Sequence, residues 1–186
     1  MDGPADVDEL FDLYEAKGSQ HYGEGVSQID HALQCAALAR ADGVNDPLIV
    51  AALFHDVGHL TLDVARDADN DTGHEEDRHE ALGARLLAPI FGRRVAQPVA
   101  LHVMAKRWLC TREPQYRERL SAASRVSLIG QGGLLDDEQC ARFEAHPGFN
   151  DALALRTWDD AGKVERLHVG ELRDWEPLVR ALAALQ

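Results

Sequence analysis

Two imidazoles and a carboxylate fall within Phe54-His55-Asp56-Val57-Gly58-His59, directly after an apolar run from Leu48 to Leu53. An apolar run too short to cross a membrane, ending in polar side chains and a glycine, reads as a buried helix whose last turn delivers those side chains into a pocket. Adjacent residues on a helix diverge by roughly 100°, so His55 and Asp56 can serve different ions, or Asp56 can bridge two. His59, four residues after His55, is expected back on the same face.

A lone His-Asp pair is more often a buried histidine held by its neighbouring carboxylate. Company changes the weighing here: His31, His79 and His102 recur in apolar-periodic segments, and Asp159 follows near the end. Imidazole and carboxylate in that mixture suit iron, manganese or zinc. Taken singly, His31 could equally be a core histidine bonded to a backbone carbonyl, Lys106 a snorkelling surface lysine, and Arg156 with Asp159 a surface ion pair.

The elements that must position these groups read as helices. A short amphipathic helix spans Val7 to Ala16. Ser27 is an N-cap opening a helix that carries His31 and closes at Gly43. Pro47 starts the helix leading to His55. Thr61 to Gly73, rich in Asp and Asn, reads as a surface loop over the site, with His74 a solvated loop residue. His79 then opens a helix patterned by Leu82, Leu86, Leu87 and Ile90, facing inward if Leu82 and Leu86 do, and Arg93 to Cys110 forms another with His102 and Lys106 one turn apart. Short helices are expected between Pro114 and Leu128, from Asp136 to Ala145 and from Asp151 to Asp160, with a C-terminal packing helix over about 173–185. Gly130-Gln131-Gly132-Gly133 lacks the pattern of a phosphate-binding loop. No polar-apolar alternation is evident, so the chain is expected to be all-α, with ligands between helices.

At 186 residues the chain is most economically one domain, residues 1–186. A net charge of −13 and a pI near 5.0 argue against a nucleic-acid surface. For an anionic substrate the general field would be repulsive, so metals and a few basic residues must supply local positive charge. Cys35, Cys110 and Cys140 are odd in number and lack a CxxC pair, which suggests free thiols in a reducing compartment. Residues 1–9 resemble no signal peptide. A cytoplasmic protein without membrane or nucleic-acid partners is expected.

In order, His31, His55-Asp56, His79, His102 and Asp159 resemble the metal site of an HD domain, and the two additional histidines resemble members that hold two metals. Neighbouring motifs bring the likeness closer: Tyr22-Gly-Glu24, Gln28-x-x-His31-x-x-Gln34, Ala105-Lys106-Arg107, Ser121-x-x-Ser124-Arg125, Gln131-Gly-Gly and Arg156-x-Trp158-Asp159-Asp160. Over about 22–163 the chain resembles the HD-domain mixed-valent di-iron oxygenases that cleave carbon–phosphorus bonds, similar to the glycine-forming dioxygenases of 2-amino-1-hydroxyethylphosphonate. Myo-inositol oxygenase shares the metal set but is longer.

The resemblance implies an all-α HD-domain bundle with a buried dinuclear site of iron, Fe(II)/Fe(III), and dioxygen as co-substrate. Asp56 would bridge the ions, His31, His55 and Asp159 would complete one shell, and His79 and His102 the other. The substrate would be a hydroxylated aminophosphonate, chelated through its hydroxyl and a phosphonate oxygen and made by a separate upstream hydroxylase. Lys106 and Arg156 would meet the phosphonate, Arg156 bidentately, while His59, Ser124 and Gln131 would hydrogen-bond. Tyr22 and Glu24 would lie by the open iron position and the amine. They stand closer together than in the glycine-forming enzymes, which leaves a methylated or trimethylated nitrogen as an alternative head group. The competing enzyme reading is an HD-domain phosphohydrolase acting through a metal-bound water. A degenerate binding module would be expected to have lost ligand residues, and none is lost here.

Overall fold

The computed structural model describes residues 4–21, 25–61 and 78–185. Tyr22, Glu24 and His74, and the expected surface loop beyond Thr61, lie outside them. Among the described residues the chain is helical, without strands, and no helix is long and apolar enough to cross a membrane.

The first layer forms around the apolar run. Helix α1 (Val7–Lys17) buries Phe11 and Tyr14 against Phe54 at the end of α3 (Asp46–Phe54), with ring centroids 6.1 and 5.4 Å apart. Phe91, at the end of α5 (His79–Phe91), stacks on the other face of this group at 6.2 Å from Phe54. Burying such rings contributes roughly 2–3 kcal/mol each, and every residue of α3 from Pro47 to Phe54 is buried. Caps fix where the helices start: Ser27 accepts from the Asp30 N–H to open α2 (Gln28–Ala41), and Asn45 accepts from Leu48 N–H to open α3.

The structure departs from the expected helix around His55. Helix α3 stops at Phe54, His55 is its cap, and a short α4 (Val57–Thr61) begins again at Val57. His59 therefore shares no helix with His55. Gly58 lies in the first turn of α4, where a Cβ would stand 2.0 Å from the main-chain carbonyl oxygen of His79. The start of α5 rests directly on this glycine.

Helix α5 is rotated relative to the expected register. Its buried line is His79, Gly83, Leu87 and Ile90, while Leu82 and Leu86 are half-buried. Gly83 lets the helix approach Val57 and Val99. Gly92, at φ 70°, turns the chain directly into α6 (Arg93–Arg112), which carries His102 and Lys106 on its buried side. Two short helices, α7 (Pro114–Arg119) and α8 (Ala122–Gly130), cross beyond it. Next come α9 (Asp137–Glu144), whose first turn closes a capping box at Asp136, and α10 (Phe149–Ala161), which packs on both α6 and α2. The C-terminal helix is divided: a 3-10 turn spans Leu172–Trp175, and α11 (Glu176–Ala183) restarts with Pro177 in its first turn. Val7 and Leu182 belong to one core cluster, so the two ends of the described chain pack on the same interior.

Gly58→Ala should displace the start of α5 and cost about 1–3 kcal/mol, read as a drop of several degrees in Tm. At Gly130 a Cβ meets open space, so Gly130→Ala should leave Tm unchanged or higher; equal behaviour of the two variants would contradict the close approach.

Candidate metal centre

Four helices and one helix break bring the six expected ligand residues together. His31 comes from the first turns of α2, His55 and Asp56 from the break between α3 and α4, His79 from the first residue of α5, His102 from the middle of α6 and Asp159 from α10. His55 and His102 are 0% and 1% exposed, and only Asp56 is half-buried.

Main-chain carbonyls dictate the tautomers. His31 Nδ1 lies 2.8 Å from Gly162 O, His55 Nδ1 2.9 Å from Ala52 O, and His102 Nδ1 2.7 Å from Val99 O. A carbonyl only accepts, so each Nδ1 carries the proton and each neutral ring presents a bare Nε2 lone pair to the centre. Those Nε2 atoms are paired face to face, His31 with His55 at 3.2 Å and His79 with His102 at 3.1 Å. In the His31–His55 pair, the two bare lone pairs repel at that distance unless a cation lies between them.

Carboxylates complete the arrangement. Asp159 Oδ1 is 3.4 Å from His31 Nε2 and 3.9 Å from His55 Nε2. Asp56 stands between the histidine pairs: Oδ2 is 3.7 Å from His31, and Oδ1 lies 3.6, 3.5 and 3.7 Å from His55, His79 and His102. Donors bound at about 2.1 Å to one ion are separated by roughly 3.0–3.4 Å, close to these spacings. The donor set thus fits two ions, with Asp56 Oδ2 near His31 and Oδ1 shared between the two histidine pairs.

Proton affinities follow the same division. Burial raises the Asp56 carboxyl, but His55, His59 and His79 outweigh it and hold the group well below the usual carboxylate range. Burial likewise opposes ionisation of Asp159, and Arg156 and Lys163 overcome it. Burial, then the neighbouring His79 and His55, push His102 down to about 3. Burial also lowers His55. Against burial, Cys35 and Asp159 raise His31 well above its ordinary value; Cys35 is itself pushed up by burial and is a neutral thiol, so the standing charge is that of Asp159. In metal-free protein a proton on His31 can therefore occupy the place of a cation between the first pair.

A cationic wall flanks the centre. Lys106, 2% exposed, donates to Ser127 Oγ at 2.7 Å and Gln131 Oε1 at 2.8 Å. Arg156, 3% exposed, spends its side-on edge on Asp160, through Nε to Oδ2 at 3.0 Å and Nη2 to Oδ1, while Nη1 donates to Asp159 Oδ2 at 2.6 Å. Its planar fork is thus already filled by a carboxylate. Ser124 lies 3.5 Å from Lys163 Nζ, and His59 stacks on His79 with centroids 3.9 Å apart. A cleft of about 310 Å³, lined by Arg78, Glu80, Met104, Arg107, Gln131 and Gly132, reaches this wall through Gln131.

Sequence reasoning missed Lys163, Ser127 and Tyr116. Lys163 Nζ lies 3.2 Å from Asp159 Oδ1, one helical turn on, a spacing that could have flagged it had Gly162 not ended the helix. Nothing in the sequence distinguishes Ser127, and Tyr116 reaches Arg156 across 40 residues.

Burial, and then Arg156, push Lys106 down to about 8. An unfolded lysine titrates near 10.4, so the folded state pays for this charge fully below pH 8, and the cost fades as pH rises toward the unfolded value. Lys106→Met should therefore stabilise metal-free protein at pH 7 by roughly 1–2 kcal/mol after allowing for its lost hydrogen bonds, with the Tm gain shrinking above pH 9. A Tm loss at pH 7 would show that the lysine is there for stability.

Known proteins resemble this chain along most of its length. Residues 29–128 match the HD domain. Hydroxymethylphosphonate dioxygenase of Gimesia maris is 42% identical over 175 residues, covering 94% of this chain and 87% of that protein. [1-Hydroxy-2-(trimethylamino)ethyl]phosphonate dioxygenase (glycine-betaine-forming) of Leisingera caerulea is 37% identical over 178 residues, covering 95% and 89%. An uncharacterized protein of Acanthamoeba polyphaga mimivirus is 37% identical over 164 residues, covering 85% and 73%. With its buried histidines and aspartates and these relatives along most of its length, the chain belongs to the HD-domain family.

Proposed function

We propose that the protein is a mixed-valent di-iron dioxygenase that cleaves the carbon–phosphorus bond of a 1-hydroxy-2-aminoethylphosphonate, with a free or N-methylated amine. The products are phosphate and glycine or an N-methylated glycine. One observation carries this reading: two facing Nε2 pairs with the two oxygens of Asp56 between them, a donor set for two cations. The two named relatives support the substrate class, since both substrates carry a hydroxyl on the carbon bonded to phosphorus.

His31, His55 and Asp159 would hold one iron and His79 and His102 the other, with Asp56 contributing to both. When bound, the pair supplies Lewis acidity toward the substrate oxygens and the redox capacity that dioxygen chemistry requires. The chain supplies the rest. Lys106 meets the phosphonate as a point charge, and its depressed proton affinity is the expected cost of holding an ammonium in a dry site. Gln131 gives its Oε1 to Lys106 and directs its amide N–H group to the ligand, beside the Ser124 hydroxyl. Arg156 acts at the phosphonate through the N–H groups that Asp159 and Asp160 leave over. His59 steadies His79 by stacking and stands ready to hydrogen-bond the substrate. Tyr22 and Glu24 lie outside the described residues; the family resemblance would assign Glu24 to a cationic amine and Tyr22 to the access of dioxygen. The C1 hydroxyl must be installed first, so a separate hydroxylase supplies the substrate.

Dioxygen supplies both oxygen atoms that the products gain, so no external reductant is consumed. Iron-loaded protein should release one phosphate per dioxygen consumed from at least one of 1-hydroxy-2-aminoethylphosphonate, its N-trimethyl form or hydroxymethylphosphonate, and none under argon. His79→Ala should lower that rate by at least about a thousandfold while remaining folded. Phosphate release from an ester without dioxygen uptake would instead identify a phosphohydrolase, and retained oxygenase activity in His79→Ala would defeat the two-metal assignment.

A further inference from the structure

Arg156 is held on its far side by a group that neither the metal centre nor the substrate reading uses. Tyr116 Oη accepts from Arg156 Nε at 2.9 Å and donates to Asp160 Oδ2, the carboxylate that also fills the arginine's side-on edge. Tyr116, Arg156 and Asp160 therefore each bond the other two, a closed triangle. Its open corner is Arg156 Nη1, which donates to Asp159 Oδ2, while Asp159 Oδ1 faces His31, His55 and Lys163. Tyr116 comes from α7, which has no fully buried residue; its ring packs beside Cys110, Leu120 and Leu128. The phenol is thus the polar tie between α7 and the centre.

We propose that Tyr116 is a positioning residue: with Asp160 it fixes the plane of the Arg156 guanidinium, and through it the orientation of the Asp159 carboxylate toward the metal. A carboxylate has two equivalent oxygens and a soft terminal torsion. With Oδ2 bonded to a fixed arginine, Asp159 has only Oδ1 to turn to the ion. Without the phenol, Arg156 Nε keeps Asp160 as its single acceptor and Asp160 loses its hydroxyl donor, so the bidentate pair can shift as a unit. Groups that orient a ligand in this way typically change metal affinity by 10–100-fold, and one contact further out a smaller effect is expected.

This inference rests on Asp159 binding metal, as proposed above. The test is release of Fe(II), loaded anaerobically, to a ferrous chelator from wild type, Tyr116→Phe, Arg156→Lys and the double variant. Tyr116→Phe should release iron about 3- to 10-fold faster with the Tm of metal-free protein unchanged, and Arg156→Lys should release it at least as fast. In the double variant the tyrosine change should add nothing further, because it acts through the arginine. Additive effects, or a lower metal-free Tm with unchanged iron release, would make Tyr116 a packing residue and overturn the proposal. If Arg156→Lys speeds release and Tyr116→Phe does not, the positioning role alone fails. Wild type that retains no Fe(II) would overturn the role and the di-iron reading together.

Discussion

Imidazoles whose Nδ1 protons are committed to main-chain carbonyls cannot rest Nε2 against Nε2 unless something positive stands between them. His31 and His55 meet in this way with both Nδ1 atoms committed, and His102 brings the same constraint to its contact with His79. Each carbonyl belongs to a helix or its end: Ala52 in α3, Val99 in α6, Gly162 just after α10. The helices are thereby registered against one another by the rings they hold. Gly58 beneath the His79 carbonyl and Gly92 between α5 and α6 serve the same registration.

Concentrating so many polar groups in the interior is costly, and their placement shows how the cost is met. Carboxylates that burial would neutralise stay ionised because of what faces them: imidazoles around Asp56, and the cations Arg156 and Lys163 around Asp159. The fold's stability comes from elsewhere, from the apolar cluster that joins α1, α3, α5 and α11 on the other side of the site. Lys106 and Arg156 create a local positive wall in a chain whose overall charge is −13, which is what an anionic ligand requires there.

Residue types and order made the centre legible, since a histidine recurring in several apolar-periodic segments is informative whatever the exact helix ends. The all-α architecture and the cap at Ser27 were equally plain. Register was not. Leu82 and Leu86 suggested the inward face of α5, but the helix turns Gly83 to the core, because close approach to Val57 and Val99 has no periodic signature. The apolar run also put His59 back on the face of His55, whereas α3 stops at Phe54 and α4 restarts at Val57. The bonds from Lys106 to Ser127 and Gln131, and from Arg156 to Tyr116, escaped for another reason. They join residues 21 to 40 apart along the chain, and only the packing of α6, α7, α8 and α10 makes those residues neighbours.

The central claim, that two irons share Asp56 and meet a hydroxyphosphonate, is tested most directly by metal content and low-temperature EPR on protein purified with iron. Spectra would be taken before and after adding 2-amino-1-hydroxyethylphosphonate and its N-trimethyl analogue. The account predicts two irons per chain and a coupled mixed-valent signal that one of these phosphonates perturbs. A single ion per chain, or an iron pair whose spectrum is indifferent to both phosphonates, would contradict it.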